Sequence, residues 1–357
     1  MATPIRFLIL ADGLFGPRSS KTANSCIRYT PEQVAAVLDS TNAGRSVSQV
    51  LGFGEGIPIV ATFDEGMAHQ PTALLIGIAP QGGRLPDDWR AVIRSALRNR
   101  MDVWSGLHTY IGDDPEFASL AREYGAAIHD LRKPPADIPV ATGLARSVAA
   151  TIILTVGVDC NIGKMTAQLQ LRDALRAAGA NVAFVPTGQT GILIEGWGIS
   201  VDAVIADFIA GAVERLVLQA SDSADIILVE GQGSIIHPGY SGVTYGLMHG
   251  SLPHAMIMCG QPSRTRITNN PWVTIPPMPE LIRLHEQVMA PLRPSPVIGI
   301  SLNTFDLSDA DARAAIESTS RETGLPATDP VRYDTAALVD AILAYHGART
   351  AESVGAA

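Results

Sequence analysis

Thr151-Ile-Ile-Leu-Thr-Val-Gly157, running directly into Val158-Asp-Cys-Asn-Ile-Gly163-Lys164-Met165-Thr166, decides the reading of this chain. The first seven residues carry no charge and are mostly β-branched, which suits a strand buried on both faces. The next stretch is bounded by Gly157 and Gly163 and leads into a helical pattern, with Leu171, Ala174, Leu175 and Ala178 on one face and Gly179 as the stop. Strand, glycine loop and helix are the setting in which successive backbone N–H groups and a helix start hold a phosphate, with a lysine adding mobile charge. Gly157, Asp159, Cys160, Asn161, Ile162, Gly163, Lys164, Met165 and Thr166 are therefore the candidate cofactor-binding residues. Two departures from the usual phosphate loop stand out. Five residues rather than four separate the glycines, and Met165 occupies the place of the magnesium-binding hydroxyl, with Thr166 one step later.

Around this core the second half repeats a strand and helix rhythm. Strands are expected at Asn181–Pro186, Asp225–Glu230, Ala255–Cys259 and Pro296–Leu302, and a helix at Asp202–Gln219 bearing Asp202 and Asp207. Two further loops should share the carboxyl edge of the sheet, where open α/β folds bind ligands. One is Pro186-Thr-Gly-Gln-Thr-Gly191, with Thr187, Gln189 and Thr190. The other is Glu230-Gly-Gln-Gly-Ser234, with Glu230, Gln232 and Ser234. Glu230 ends its strand as a carboxylate able to bind a metal, orient a nucleophile or act as a base. After the next strand, Arg264 and Arg266 can grip carboxylates.

The first half alternates short apolar runs, Phe7–Ala11, Ala35–Leu38, Ile57–Thr62, Ala73–Ile78 and Asp102–Ser105, with a helix near Asp88–Asn99. This is a Rossmann-like pattern, although no GxGxxG follows its first strand. Three prolines within Leu131-Arg-Lys-Pro-Pro-Ala-Asp-Ile-Pro-Val140 mark a linker. The expected organisation is thus an N-terminal Rossmann-like domain over residues 1–140, a P-loop NTPase-like parallel α/β domain over 141–347, and a flexible tail over 348–357.

Composition narrows the partners. With 357 residues and a net charge of −9, bulk charge does not favour nucleic acid or an anionic membrane surface, and small-molecule substrates are expected instead. Cys26, Cys160 and Cys259 are far apart, which fits a reducing cytoplasm, and no His and Cys spacing suggests a metal centre. Arg6 followed by the short run Phe7–Ala11 is too little for a signal peptide, and no apolar stretch reaches membrane-spanning length. A homo-oligomer is expected.

Among the eight histidines, His108, in Ser105-Gly-Leu-His-Thr109, falls after a strand, while His237 and His249 lie in a Gly, Ser and Tyr-rich segment. His69, His129, His254, His285 and His346 lack such context. Cys160 reads as a small packed residue, with a covalent group carrier as the other reading, because a helix start favours a thiolate.

The combination of GVDCNIGK, VPTGQTG and VEGQGS resembles the dethiobiotin synthetase branch of P-loop enzymes, with its longer loop and magnesium-binding acidic strand end. A second resemblance is closer. Lys21-Thr-Ala23, Met101–Thr109 (MDVWSGLHT), TVGVDCNIGKMT, PTGQTGILIEGWG, VDAVIADFIAGA and EGQGSIIHPGYSGVTYGLMHG are similar to a bacterial family, formerly of unknown function, that includes D-glutamate N-acetyltransferases. That resemblance implies transfer of acetyl from acetyl-CoA to the amino group of an acidic amino acid such as D-glutamate, with a role for His108. CoA phosphates would sit on the loop and Lys164. Glu230, His237 or His249 would be the base, N–H groups near Gly231 and Gly233, or Gln232, would meet the oxyanion, and Lys21, Arg264 and Arg266 would bind the acceptor. The alternatives are an ATP- and Mg2+-dependent enzyme, with Thr166 and Glu230 at the metal, and a nucleotide sensor without turnover.

Overall fold

The computed structural model describes residues 4–17, 19–78 and 85–355, with side chains as far as residue 351. The chain divides into two compact units. One comprises Met1–Pro134 with Ile192–Ala203, the other Pro135–Gly191 with Val204–Ala357. The return of Ile192–Ala203 to the first unit has no counterpart in the single linker read from the prolines.

The first unit is built on β1 (Phe7–Leu10), β2 (Val34–Leu38), β3 (Ile59–Val60), β4 (Ala73–Ile76), β5 (Asp102–Ser105) and β6 (Ile128–Asp130). They form one parallel sheet in the order β3-β2-β1-β4-β5-β6, the doubly wound order of dinucleotide-binding folds. β1 and β4 lie at its centre and are buried throughout, which is why they read as continuous apolar runs rather than alternating ones. β6 is short and half-buried at the edge, so its sequence gives little strand signal.

The second unit contains β7 (Thr151–Gly157), β8 (Val182–Val185), β9 (Ile226–Val229), β10 (Ala255–Gly260), β11 (Arg266–Ile267), β12 (Asn270–Thr274), β13 (Val297–Leu302) and β14 (Ala327–Thr328). Six of these form a parallel sheet in the order β14-β13-β10-β7-β9-β8, and β11 and β12 form an antiparallel hairpin. β7 is buried at all seven positions between β9 and β10, as its composition requires. Helix Lys164–Ala177 is anchored over it by Gln168, whose buried amide donates to the carbonyls of Ile153 (3.2 Å) and Val229 (2.9 Å).

Two expected elements differ. The segment around Asp202 is not one helix: it makes short 3-10 turns at Val201–Ala203 and Ala206–Phe208, and an α-helix begins only at Ile209 and runs to Ser221. Asp202 is drawn aside by an ion pair with Arg132 in the first unit, and Asp207 lies in the second turn. The tail expected to fray instead continues helix Ala336–Gly355, and residues 356–357 lie outside the described residues. Its anchors are polar contacts at the start of β7: His346 Nδ1 lies 2.7 Å from Thr151 Oγ1, and Arg349 donates to the same hydroxyl at 2.9 Å and to the Ala149 carbonyl. The helix has no membrane-spanning character, and among the described residues no helix is long and apolar enough to cross a membrane.

Candidate active site

All the elements that converge here belong to the second unit and leave the carboxyl edge of its sheet. After β7 the backbone enters the left-handed region at Asn161 (φ 52°) and Gly163 (φ 103°), conformations that Gly and Asn tolerate best. Ile162 folds back over Gly157, where a Cβ would come within 2.6 Å of its Cδ1, so the curl requires a glycine there. Gly163 precedes the helix without a side-chain cap. Among the described residues the N–H groups of Asn161, Ile162 and Gly163 find no acceptor, leaving three consecutive donors at the positive end of a helix.

Asp159 holds the loop in place. Its carboxylate is fully buried. Oδ1 accepts the Cys160 N–H at 2.7 Å, and Oδ2 accepts the Thr268 N–H and Arg264 Nη1, each at 2.9 Å. Burial pushes its pKa up. The hydrogen bonds from the backbone of Thr268 and Cys160, with the Thr268 side chain and Arg264, outweigh this and leave it below the ordinary carboxylate value. Arg264 Nη1 also donates to the Cys160 carbonyl at 2.8 Å. Among the described residues its Nε and Nη2 make no hydrogen bond, which leaves one edge of the guanidinium with donors for an anion. Lys164 is buried, and its Nζ donates to the Asp159 carbonyl at 2.6 Å, so the lysine lies against its own loop.

The other two loops are tied to each other. Glu230 accepts the N–H groups of Thr187 (2.9 Å) and Gly188 (3.1 Å) on Oε2, while Thr187 Oγ1 donates to the Glu230 carbonyl at 2.8 Å. Gln232 Nε2 donates to the Thr187 carbonyl at 2.6 Å, and Ser234 Oγ to the Val158 carbonyl at 3.1 Å. Glu230, Gln232, Ser234 and Thr187 thus connect the loops. Thr190 is buried beside them and Gln189 half-buried at a helix start.

His237 is buried, with its ring against Tyr240 at 4.6 Å, and its Nδ1 accepts the Gly239 N–H at 3.0 Å. A ring nitrogen of His237, Cys160 Sγ and an Asp159 oxygen all lie within 4.8 Å of one another. Spacing in the chain gave no such cluster, because Cys160 and His237 are brought together by the loops after two adjacent strands.

The remaining expected site residues are His249, Arg266, Lys21 and His108. His249 is exposed beside Tyr245, on a helix that turns its glycines inward: at Gly246 and Gly250 a Cβ would collide with Ile209 and the Ala210 carbonyl. Partial desolvation of its ring holds its pKa below the ordinary imidazole value. Arg266 is exposed and donates to the Pro271 carbonyl within the β11–β12 hairpin, at 2.7 Å. Lys21 and His108 belong to the first unit, Lys21 at an exposed helix start. His108 has its pKa lowered by partial burial first and by the Arg132 charge second. The hairpin itself, which supplies the Thr268 N–H, was missed. Its signal is Thr268-Asn-Asn270, with Asn269 at φ 63° serving as the turn residue.

Fold and loops define a two-unit α/β protein with an anion-receptive helix start at the edge of a P-loop-type sheet. The chain belongs to the DUF1611 family: the family's P-loop domain matches residues 139–339, and its Rossmann-like N-terminal domain residues 40–134. It is 40% identical over 288 residues to a D-glutamate N-acetyltransferase of Tritonibacter scottomollicae, covering 79% of this chain and 84% of the relative. A D-glutamate N-acetyltransferase of a Pseudoalteromonas species is 38% identical over 260 residues, 72% of this chain and 77% of that one. A crystal structure of a DUF1611 family protein from Anabaena variabilis superposes with a TM-score of 0.90 at 41% identity, covering 95% of this chain and 99% of that one.

Proposed function

We propose that this protein transfers an acetyl group from acetyl-CoA to the amino group of an acidic amino acid such as D-glutamate. The observation that carries the reading is the row of unengaged N–H groups at Asn161–Gly163, flanked by Lys164 and the open edge of Arg264. In a chain of net charge −9 this is a local site for negative charge. Acetyl-CoA brings such charge twice, in its phosphates and in the oxygen that becomes anionic when its thioester is attacked. The names of the curated relatives support the acetyl group and the acceptor. Small molecules, rather than nucleic acid or a membrane, are the proposed partners; a homo-oligomer and the cytoplasm are the proposed assembly and location.

For the ATP and Mg2+ reading, Thr166 and Glu230 would have to meet the metal. Glu230 Oε2 already accepts two backbone N–H groups, and buried, apolar Met165 occupies the usual hydroxyl position. The acetyl-CoA reading uses both residues as they stand. Thermal melts with acetyl-CoA, CoA and ATP separate the two. The first two ligands should raise the melting temperature in EDTA. Stabilisation by ATP alone, and only with Mg2+, would overturn the proposal. Lys164→Ala should lower kcat/KM for acetyl-CoA by about 10- to 100-fold, matching the roughly 1.5–3 kcal/mol of one charged hydrogen bond. An unchanged value would remove Lys164 from the site.

A further inference from the structure

We propose that Cys160 is the covalent carrier of the acetyl group, taking it from acetyl-CoA as a thioester and passing it to the amine; this rests on the acetyltransferase reading above. Cys160 is half-buried, with Sγ in the cluster that includes a ring nitrogen of His237. It immediately precedes the three unengaged N–H groups and the helix start. A helix N-terminus favours a thiolate over a thiol, and N–H groups directly after a nucleophile are where an oxyanion hole is built. Cys26 and Cys259 are buried, and burial pushes their thiols up to about 12.

The same three side chains have the makings of a metal site, but the hydrogen bonds argue otherwise. Both Asp159 oxygens already accept N–H groups, one of them from a guanidinium, so a cation bound there would stand against the Arg264 charge. His237 has a defined part. Because Nδ1 accepts the Gly239 N–H, the neutral ring carries its proton on Nε2 and serves as a donor. A ring in this tautomer can donate to a thiolate or an oxyanion, and its Nδ1 is not free to remove a proton. The pantetheine arm is too long for one CoA to place its thioester and its diphosphate on the same turn of chain. With Cys160 as carrier, the Asn161–Gly163 donors would serve the thioester oxygen and the CoA diphosphate would bind outside this turn.

The chemistry balances without a protein base. The Cys160 thiol loses its proton to solvent, and the thiolate attacks the acetyl carbon. A carbon–sulfur bond to Cys160 forms, the bond to CoA breaks, and CoA leaves as a thiolate that takes up a proton. In the second half, the acceptor amine, its ammonium proton given to solvent, attacks the acetyl-cysteine. The amide bond forms, the surplus proton on nitrogen leaves to water, and the Cys160 thiolate that departs takes up a proton to restore the thiol. One proton is released overall per acetyl-CoA and ammonium consumed.

The test is to incubate the full chain with acetyl-CoA and no acceptor, then measure released thiol and the mass of the protein and its peptides. One acetyl group should appear on the peptide containing Cys160, sensitive to hydroxylamine, with one equivalent of CoA released, and adding D-glutamate should discharge it. Cys160→Ala should lose the label and more than about 1,000-fold in kcat/KM while keeping its melting temperature; Cys160→Ser, closer in size, should behave alike in kcat/KM. Acetylation of the amino acid with no labelled Cys160, or an alanine variant of near-native rate, would overturn the carrier and leave the acetyltransferase reading standing. No consumption of acetyl-CoA with any acidic acceptor would overturn both.

Discussion

Gly231→Ala is expected to cost at least about 3 kcal/mol of unfolding free energy in urea titrations, at the severe end for an overpacked core position. The added Cβ would overlap the backbone carbonyl oxygen of Thr155, inside β7, and crowd the Thr155 hydroxyl that accepts the Gly231 N–H at 2.9 Å. A flexible side chain could swing away from such a clash. A carbonyl in a buried central strand paired on both sides cannot move without breaking register with β9 or β10. Because the same glycine joins Glu230 to Gln232, the displaced strand end would carry the Thr187 and Glu230 loops with it, and the variant should lose activity even where it still folds. A loss of stability within the ordinary range of a surface substitution, about 0.5 kcal/mol, would contradict the packing described.

Asp159→Asn is the second large effect. Asparagine keeps the shape but offers one acceptor oxygen and one donor group, whereas all the partners of Asp159, namely the Cys160 N–H, the Thr268 N–H and Arg264, are donors. Whichever way the amide turns, donors face donors, and Arg264 loses its counter-charge. Breaking a buried pair costs about 3–5 kcal/mol, and the partial exposure of Arg264 places this case near 3. Loop misplacement should lower kcat/KM by about 100-fold. The native protein should also show an acid limb that the variant lacks. Since the folded carboxyl has a pKa below that of the unfolded chain, its stabilisation is complete above the unfolded value of about 3.9 and is lost as pH falls through the folded one. Urea midpoints measured as pH is lowered through that window read the difference directly; identical profiles for the two proteins would show that Asp159 is not a charged anchor.

Much of this architecture was legible because the deciding signals are local. The seven uncharged residues of β7 and the glycine-bounded loop after it need only neighbouring residues to declare a buried strand and a helix start. What stayed hidden depends on long-range placement. Glu230, Gln232, Ser234 and Thr187 read as ligand-facing polar groups, and the bonds they also make to one another and to the Val158 carbonyl depend on the adjacency of β7, β8 and β9. Arg264 and Arg266 looked equivalent two residues apart, and the missed hairpin separates them, one turned to Asp159 and the other to Pro271. His237 and His249 likewise shared one loop-like segment, while the helix at Ser241–Ser251 puts the second on an exposed face. The tail looked loose because Ala348-Arg-Thr-Ala351 is small and polar, and its order comes from Arg349 reaching the start of β7.

The most direct test of acetyl transfer at this site is to mix the purified chain with acetyl-CoA and D-glutamate in EDTA and follow both products together, N-acetylated amino acid by mass spectrometry and free CoA thiol by absorbance. The two should appear in equal amounts without ATP or added metal. Thiol release without the acetylated amino acid, or product that forms only with ATP and Mg2+, would contradict the account.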